Sequence, residues 1–142
     1  SAPTPFLTLE TIARLFQKLA ANNDQEISRV FDAMCANPLL VGGTNRFDSL
    51  FIEALAGRGI TKIGGESIRG ISIKKPNGGS VGIVLKVLDG NFRALPIATM
   101  RLLEHLELLN PVELEKLNKF RMKILRNHNQ LEIGRIEAIV ES

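Results

Sequence analysis

Three strand-like segments lie close together in the middle of the sequence, and they constrain the fold more than any other feature. They span residues 60–63, 67–74 and 80–90 and are separated by short turns, one of them KKPNGG. Proline presets one backbone dihedral of such a turn, and an asparagine–glycine pair tolerates positive φ. Because strands joined by turns this short pair in antiparallel fashion, we expect an antiparallel sheet at the centre of the chain.

The third of these segments is largely apolar on both of its faces. One face carries Val81, Ile83, Leu85 and Val87, and the other carries Gly82, Val84, Lys86 and Leu88. A strand of this kind is covered on both sides. Amphipathic periodicity predicts the covering helices at 8–21 with Thr8 as N-cap, at 24–37, at 44–57 with Thr44 or Asn45 as N-cap, at 93–109 and at 112–118. The sequence therefore predicts one α+β domain over residues 1–142, with helices flanking a mainly antiparallel sheet.

The last stretch, NQLEIGRIEAIV, alternates like a strand, but its apolar parity changes at Gly134. Leu131 and Ile133 share one phase, whereas Ile136 and Val140 share the other. A β-bulge at Gly134 would restore a single buried face. We therefore expect one further strand in this stretch.

Composition narrows the class of protein. The chain has a single cysteine, Cys35, and so holds neither an internal disulfide nor a multi-cysteine metal cluster. A lone cysteine fits a reducing cytosol, and no apolar run reaches the ~20 residues that span a bilayer. The net charge is +3, but without tryptophan or tyrosine the chain lacks the usual base-stacking residues. We expect a cytoplasmic protein that binds neither nucleic acid nor a membrane.

The turn between the first two strands carries an unusual combination of residues. Lys62 lies near the end of the first strand and is followed by Ile63, Gly64, Gly65 and Glu66. Glycines at such a place allow another backbone or a ligand to approach the strand closely. A lysine beside that gap can be desolvated and act as an electrostatic anchor or a proton carrier. The competing interpretation is a solvent-exposed lysine beside a bulge.

Arg46 and Asp48 lie at the start of the predicted third helix. The N-terminal amides of a helix attract anions, and an arginine can hold a carboxylate through two parallel hydrogen bonds. Arg46 is therefore either a ligand for a substrate carboxylate or a surface arginine. Asp48 either belongs to the same site or simply stabilises the helix dipole.

Three motifs, in their order and spacing, resemble the asparaginase II family, the Rhizobium-type L-asparaginases. They are NPLLVGGTNRFDSLF, TKIGGES and VLKVLDGNFRALP, and the resemblance covers nearly the whole chain. It implies a fold related to glutaminases and serine β-lactamases, and hydrolysis of the side-chain amide of L-asparagine to aspartate and ammonia. The chain departs from the family pattern at Asn37, where a histidine is usual, at Asp48, where some members have cysteine, and at Ser67, where glycine is usual.

The resemblance also implies roles for individual residues. Lys62 stands where the β-lactamase relatives have the lysine of their K-T-G strand, and it would be catalytic. The substrate-binding residues that the resemblance implies are Arg46, Asp48, Gly64, Gly65 and Glu66. Lys86 and Asp89 are secondary candidates.

The resemblance places the nucleophilic serine of this family in an S-x-x-K motif of an upstream segment. In this sequence that spacing occurs only at Ser72–Lys75, at the end of the second predicted strand. The resemblance therefore implies that the chain is the C-terminal half of a hydrolase, and that an upstream half of the same protein supplies the serine. The cysteines and lysine that hold zinc in some members also lie upstream, except at the position of Asp48. We expect no metal or other cofactor within this chain, and two partners, L-asparagine and the upstream half.

Two alternatives stay open at this point. The chain could be a non-catalytic interaction module or subunit of the same fold, and a truncated sheet with exposed edges would favour pairing or homodimerisation. The same fold could also act on penicillins or D-alanyl peptides. The sequence KIG at Lys62 differs, however, from the K-T-G of those enzymes.

Overall fold

The computed structural model of the chain describes residues 5–21 and 23–141, so Asn22, in the predicted link between the first two helices, lies outside the described residues. The described residues form six α-helices and five β-strands. The helices are α1 (Leu9–Ala21), α2 (Gln25–Ala36), α3 (Pro38–Gly42), α4 (Phe47–Leu55), α5 (Leu95–His105) and α6 (Pro111–Leu117). The strands are β1 (Gly59–Gly64), β2 (Ile68–Lys74), β3 (Ser80–Lys86), β4 (Lys123–Arg126) and β5 (Glu132–Ile136). The predicted α+β class is confirmed.

The central sheet has the predicted antiparallel pairing, in the order β1-β2-β3. In its register Lys62 lies opposite Gly70. The turn between β2 and β3 closes with a hydrogen bond of 3.0 Å from the Lys75 N–H to the Gly79 carbonyl. Gly78 and Gly79 adopt φ angles of 85° and 81°, which glycine tolerates without strain. The turn predicted from KKPNGG is therefore confirmed.

Two helix starts follow the prediction and a third does not. The Thr8 hydroxyl accepts a backbone N–H of the first turn of α1, and the Asp24 carboxylate accepts two at the start of α2. At α4, however, Arg46 occupies the cap position, and its side chain makes no cap hydrogen bond. The prediction of Thr44 or Asn45 as the cap is wrong because Asn45 adopts a φ of 58° in the preceding turn. The chain therefore enters helical geometry later than predicted.

Helix α1 covers one face of the sheet at very short range. That face carries Gly70 and Gly82, and a Cβ atom at Gly70 would overlap the Phe16 ring of α1. A Cβ atom at Gly82 would overlap the α1 backbone at Ala13 and Gln17. The two glycines therefore allow the helix to lie directly on the strands. The prediction that helices cover both faces of β3 is confirmed on this side.

The opposite face of the sheet builds the main core against α4, α5 and α6. The buried residues at its centre are Phe47, Phe51, Ile71, Ile73, Ile83, Met100, Leu103 and Leu117. A second, smaller core joins α1, α2, α4 and β1 through Ala20, Phe31, Ile52 and Ile60. Cys35 packs beside this second core, and burial raises the pKa of its thiol. Both faces of the sheet are therefore covered by helices.

Strands β4 and β5 form a separate antiparallel hairpin. The sequence predicts β5 but not β4. The pairing shifts register at Ile133, which has no partner, one residue before the bulge predicted at Gly134. The expected single buried face does not form, since Leu131 and Ile133 are 63% and 65% exposed. That part of the prediction is wrong because β5 pairs with β4 rather than joining the central sheet.

We predict that Gly82→Ala destabilises the protein by about 1–3 kcal/mol, because the new methyl group would overlap helix backbone that cannot rotate away. Gly134→Ala is the matched control, since its methyl group would meet open space. The control should change the free energy of unfolding by no more than ~0.5 kcal/mol. Urea unfolding followed by circular dichroism measures both. Equal stability of Gly82→Ala and the unsubstituted protein would contradict the close packing of α1 on β3.

Candidate active-site cleft

An open cleft of about 670 Å³ lies where the start of α4, the end of β1 and the start of α5 meet. It is lined by Gly42, Asn45, Arg46, Phe47, Asp48, Ile63, Gly64, Gly65, Arg69, Phe92, Pro96 and Phe120. Four of the residues predicted to bind substrate are therefore brought together here: Arg46, Asp48, Gly64 and Gly65. Three phenylalanines give the cleft an apolar wall beside these polar groups.

A buried carboxylate organises the floor of the cleft. One oxygen of Asp48, Oδ2, accepts the backbone N–H of Ile63 at 2.8 Å. The other oxygen, Oδ1, forms an ion pair with Nη2 of Arg69 at 3.1 Å. The side chains of Asp48 and Arg69 are only 3% and 2% exposed. Asp48 is therefore engaged with the protein through both oxygens, and it ties the first turn of α4 to the end of β1.

The Arg69 guanidinium is held in an unusually dry place. Its central carbon lies 3.9 Å from the centroid of the Phe47 ring, an arrangement in which the ring face attracts the cation. Two of its nitrogens, Nε and Nη1, have no acceptor among the described residues. Burial lowers the pKa of Arg69 to about 10, an effect that the charge of Asp48 opposes. The ion pair thus offsets part of the cost of placing this cation in the core.

Arg69 is not among the site residues predicted from sequence, although the sequence carries a signal for it. Arg69, Ile71 and Ile73 share one parity on β2, and both isoleucines are fully buried. Side chains two residues apart on a strand point to the same face. An arginine in phase with core isoleucines must find a buried acid, and Asp48 is that acid. The same contact explains why Asp48 is more than a residue that favours the helix dipole.

Arg46 and the two glycines form the accessible part of the cleft. Arg46 is exposed at the cap position of α4, beside the N-terminal amides of that helix. An added side chain at Gly65 would meet no atom within 4 Å, so the backbone is open there. A cation, a helix N-terminus and open backbone amides together can hold a small carboxylate.

Lys62 does not line the cleft. It is exposed, and it lies on the side of the sheet that carries Gly70 and faces α1. The cleft lies on the other side of the sheet, where Ile63 and Arg69 point. Lys62 is nonetheless only two residues before Gly64, and β1 is an edge strand of the sheet. The structure thus separates Lys62 from the predicted substrate-binding residues, and its predicted catalytic role stays a prediction.

Glu66, Lys86 and Asp89 form a second group, in the β1–β2 turn, at the end of β3 and in the loop that follows it. The Lys86 ammonium donates to the Glu66 carbonyl and, at 3.0 Å, to the Val87 carbonyl. Asp89 accepts the Asn91 N–H at 2.9 Å, which shapes the turn that leads towards α5. Glu66 itself adopts a φ of 53°, a strained value for a residue with a side chain. Lys86 and Asp89 therefore hold the loops that flank the cleft, and neither lines it.

The polar groups of the cleft do not fit a metal ion. Within residues 5–21 and 23–141, no group of three or more His, Cys, Asp or Glu side chains is placed to hold one. Asp48 already faces the positive charge of Arg69, which would oppose a second cation.

Within residues 5–21 and 23–141 there is no helix with both the length and the apolar character needed to cross a bilayer.

The sequence of the chain places it in a class of amide hydrolases. A family model described as L-asparaginase II matches residues 1–138, nearly the whole chain. The chain therefore belongs to the L-asparaginase II family, as the motifs predict, and its function is of the L-asparaginase type in general. No curated protein sequence matches it.

The buried ion pair gives a prediction about stability. Asp48→Asn and Arg69→Met should each destabilise the protein by ~3–5 kcal/mol, because each leaves an uncompensated buried charge. The double variant should lose less than the sum of the two, since it buries no charge and its asparagine oxygen can still accept the Ile63 N–H. Arg46→Met, at an exposed position, is the control and should change stability by no more than ~0.5 kcal/mol.

Chemical denaturation of the unsubstituted protein, the two single variants and the double variant gives the coupling energy between Asp48 and Arg69. Strictly additive losses in the double variant would contradict the coupling between Asp48 and Arg69.

Proposed function

We propose that the chain is the C-terminal part of an amidohydrolase that converts L-asparagine to aspartate and ammonia when it is joined to an upstream segment. The observation that carries the proposal is the family match over residues 1–138. The S-x-x-K spacing occurs at Ser72–Lys75, but Ser72 is fully buried on β2 and does not line the cleft, so the nucleophilic serine would come from the upstream segment. A fold relation to glutaminases and serine β-lactamases is part of the same proposal.

The cleft is in keeping with a small substrate that carries a carboxylate, as L-asparagine does. Arg46 would hold the carboxylate beside the N-terminus of α4, where the helix dipole also favours a negative charge. The open backbone at Gly65, and Gly64 beside it on the cleft wall, would lie along the substrate. Asp48 would act indirectly, because both of its oxygens are bound to Ile63 and Arg69. Glu66, Lys86 and Asp89 would shape the cleft through their loops.

In the proposed reaction the serine oxygen attacks the carbonyl carbon of the side-chain amide, and the serine proton passes to the leaving nitrogen. The C–N bond breaks, ammonia leaves, and an ester joins the aspartyl group to the serine. Water then adds to the ester carbonyl, the C–O bond to the serine breaks, and aspartate leaves. The serine recovers its proton from that water.

Lys62 would tune charge at the serine. Its ammonium is a compact cation on a flexible stem, and such a cation stabilises a hydroxyl oxygen that is losing its proton. Lys62 is exposed near the end of edge strand β1, so its side chain is available to an upstream segment. From there its stem could reach a serine positioned close to Gly64.

The proposal predicts that the 142-residue chain alone does not hydrolyse L-asparagine and that the protein with its upstream segment does. In the joined protein, Lys62→Ala should lower kcat/KM by about 10²-fold or more, the range typical of a lost proton-transfer or charge-stabilising group. Lys75→Ala, an exposed lysine in the β2–β3 turn, is the matched control and should keep full activity. Ammonia release from L-asparagine and from L-glutamine is the measurement.

Two results would count against the proposal. Hydrolysis by the 142-residue chain alone would refute the shared active site. Full activity of Lys62→Ala in the joined protein would remove Lys62 from the mechanism.

A non-catalytic interaction module or subunit is the second candidate function. The separation of Lys62 from the cleft favours it, since a catalytic lysine faces its substrate in most enzymes. Inactivity of both the chain and the joined protein would select this candidate. In either case we propose a cytoplasmic location, in keeping with the single cysteine, and self-association as a homodimer. Zinc in the whole protein would rest on upstream residues.

A further inference from the structure

We propose that two copies of the chain associate through strand β5, which pairs with its own copy in antiparallel fashion about a two-fold axis at Ile136. The inference specifies the surface of the proposed homodimer and does not depend on the proposed hydrolysis. A two-fold interface places the same patch of both copies face to face, so the patch must be complementary to itself. Strand β5 and the residues after it meet this condition.

The β4–β5 hairpin offers an unpaired edge with exposed apolar side chains. Among the described residues β5 pairs only with β4, in a sheet of its own. Ile133 and Ile139 are 65% and 84% exposed. A two-stranded hairpin is marginally stable by itself, and an unpaired edge is a template for another strand. Pairing with β5 of a second copy would join the two hairpins into one four-stranded sheet.

The charges of Arg135 in β5 and of Glu137 just after it select a second copy as the occupant. Arg135 and Glu137 are both exposed, and within one chain they form an ion pair of 3.3 Å. In antiparallel pairing centred on Ile136, Arg135 lies opposite Glu137 of the second copy, and Glu137 lies opposite its Arg135. The same register places Ile133 opposite Ile139. Every opposed pair within residues 133–139 is then apolar or of opposite charge, which stabilises adjacent strands.

Neighbouring registers lack this complementarity. A shift of two residues in one direction places Arg135 opposite its own copy, and a shift in the other direction places Glu137 opposite its own copy. Both arrangements bring like charges together across the strands, which is unfavourable. A shift of one residue places side chains on the wrong face of the sheet. The sequence of β5 therefore favours one register of self-pairing.

The test uses the 142-residue chain and charge reversal in sedimentation-equilibrium experiments. Arg135→Glu and Glu137→Arg should each weaken self-association by about tenfold or more, because like charges then face each other twice across the interface. An equimolar mixture of the two variants should recover the affinity of the unsubstituted chain, since opposite charges meet again between unlike copies. Recovery in the mixture cannot come from the Arg135–Glu137 pair within one chain, because each variant lacks it. Lys18→Glu, an exposed residue of α1, is the control for net charge and should not alter association.

Three outcomes overturn the inference: a chain that stays monomeric, a dimer indifferent to both reversals, and a mixture that associates no better than the separate variants. Circular dichroism shows that each variant is folded before it is measured. Asparagine hydrolysis is not part of the readout, so failure here leaves the proposed reaction untouched, and failure of the reaction leaves this interface untouched.

Discussion

The contact between the Asp48 carboxylate and two partners, the Arg69 guanidinium and the Ile63 amide, is the constraint on which the rest of the cleft depends. A carboxylate that is 3% exposed is costly unless it is paired and hydrogen-bonded. Arg69 supplies the charge, and Ile63 supplies the hydrogen bond. Because the three groups come from α4, β2 and β1, satisfying one buried acid fixes three elements relative to one another.

The geometry of the cleft follows from this contact. Ile63 directly precedes the two glycines that line the cleft, so the hydrogen bond from its amide to Asp48 holds the end of β1 in place. Arg46 lies two residues before Asp48, at the cap of α4, so the same contact determines where its guanidinium emerges. On the far side the Lys86 ammonium ties the loop at Glu66 to the end of β3. The polar groups of the cleft are thus held by buried contacts beneath it.

Much of the fold could be predicted from sequence because its signals are local. The strand alternation of β3, the KKPNGG turn, the cap at Thr8 and the helix start near Asp24 each depend on a few adjacent residues. Helix α3 and strand β4 are too short, at five and four residues, for a period to emerge. The cap of α4 was mispredicted because the backbone turn at Asn45, and not the side chain, decides where that helix begins.

The candidate site was predictable only in part. Arg46, Asp48, Gly64 and Gly65 meet as the motifs suggest, because they lie at the ends of adjacent elements. Arg69 and Asp48 are 21 positions apart in sequence, so their pairing depends on tertiary packing and on the parity of β2. Lys62 has the opposite parity to Ile63, which places its side chain away from the cleft in the described chain. A motif can name such a residue, but only the strand register shows which way it points.

The most direct test of this account is the hydrogen exchange of the Ile63 amide, measured by NMR. Because Ile63 lies on edge strand β1 and donates its N–H to Asp48 at 2.8 Å, the account predicts that this amide is strongly protected and that Asp48→Ala removes the protection. The amides of β3 should stay protected in the same variant. Rapid exchange of Ile63 in the unsubstituted chain, at the rate of an open loop, would contradict the claim that the buried carboxylate holds the end of β1.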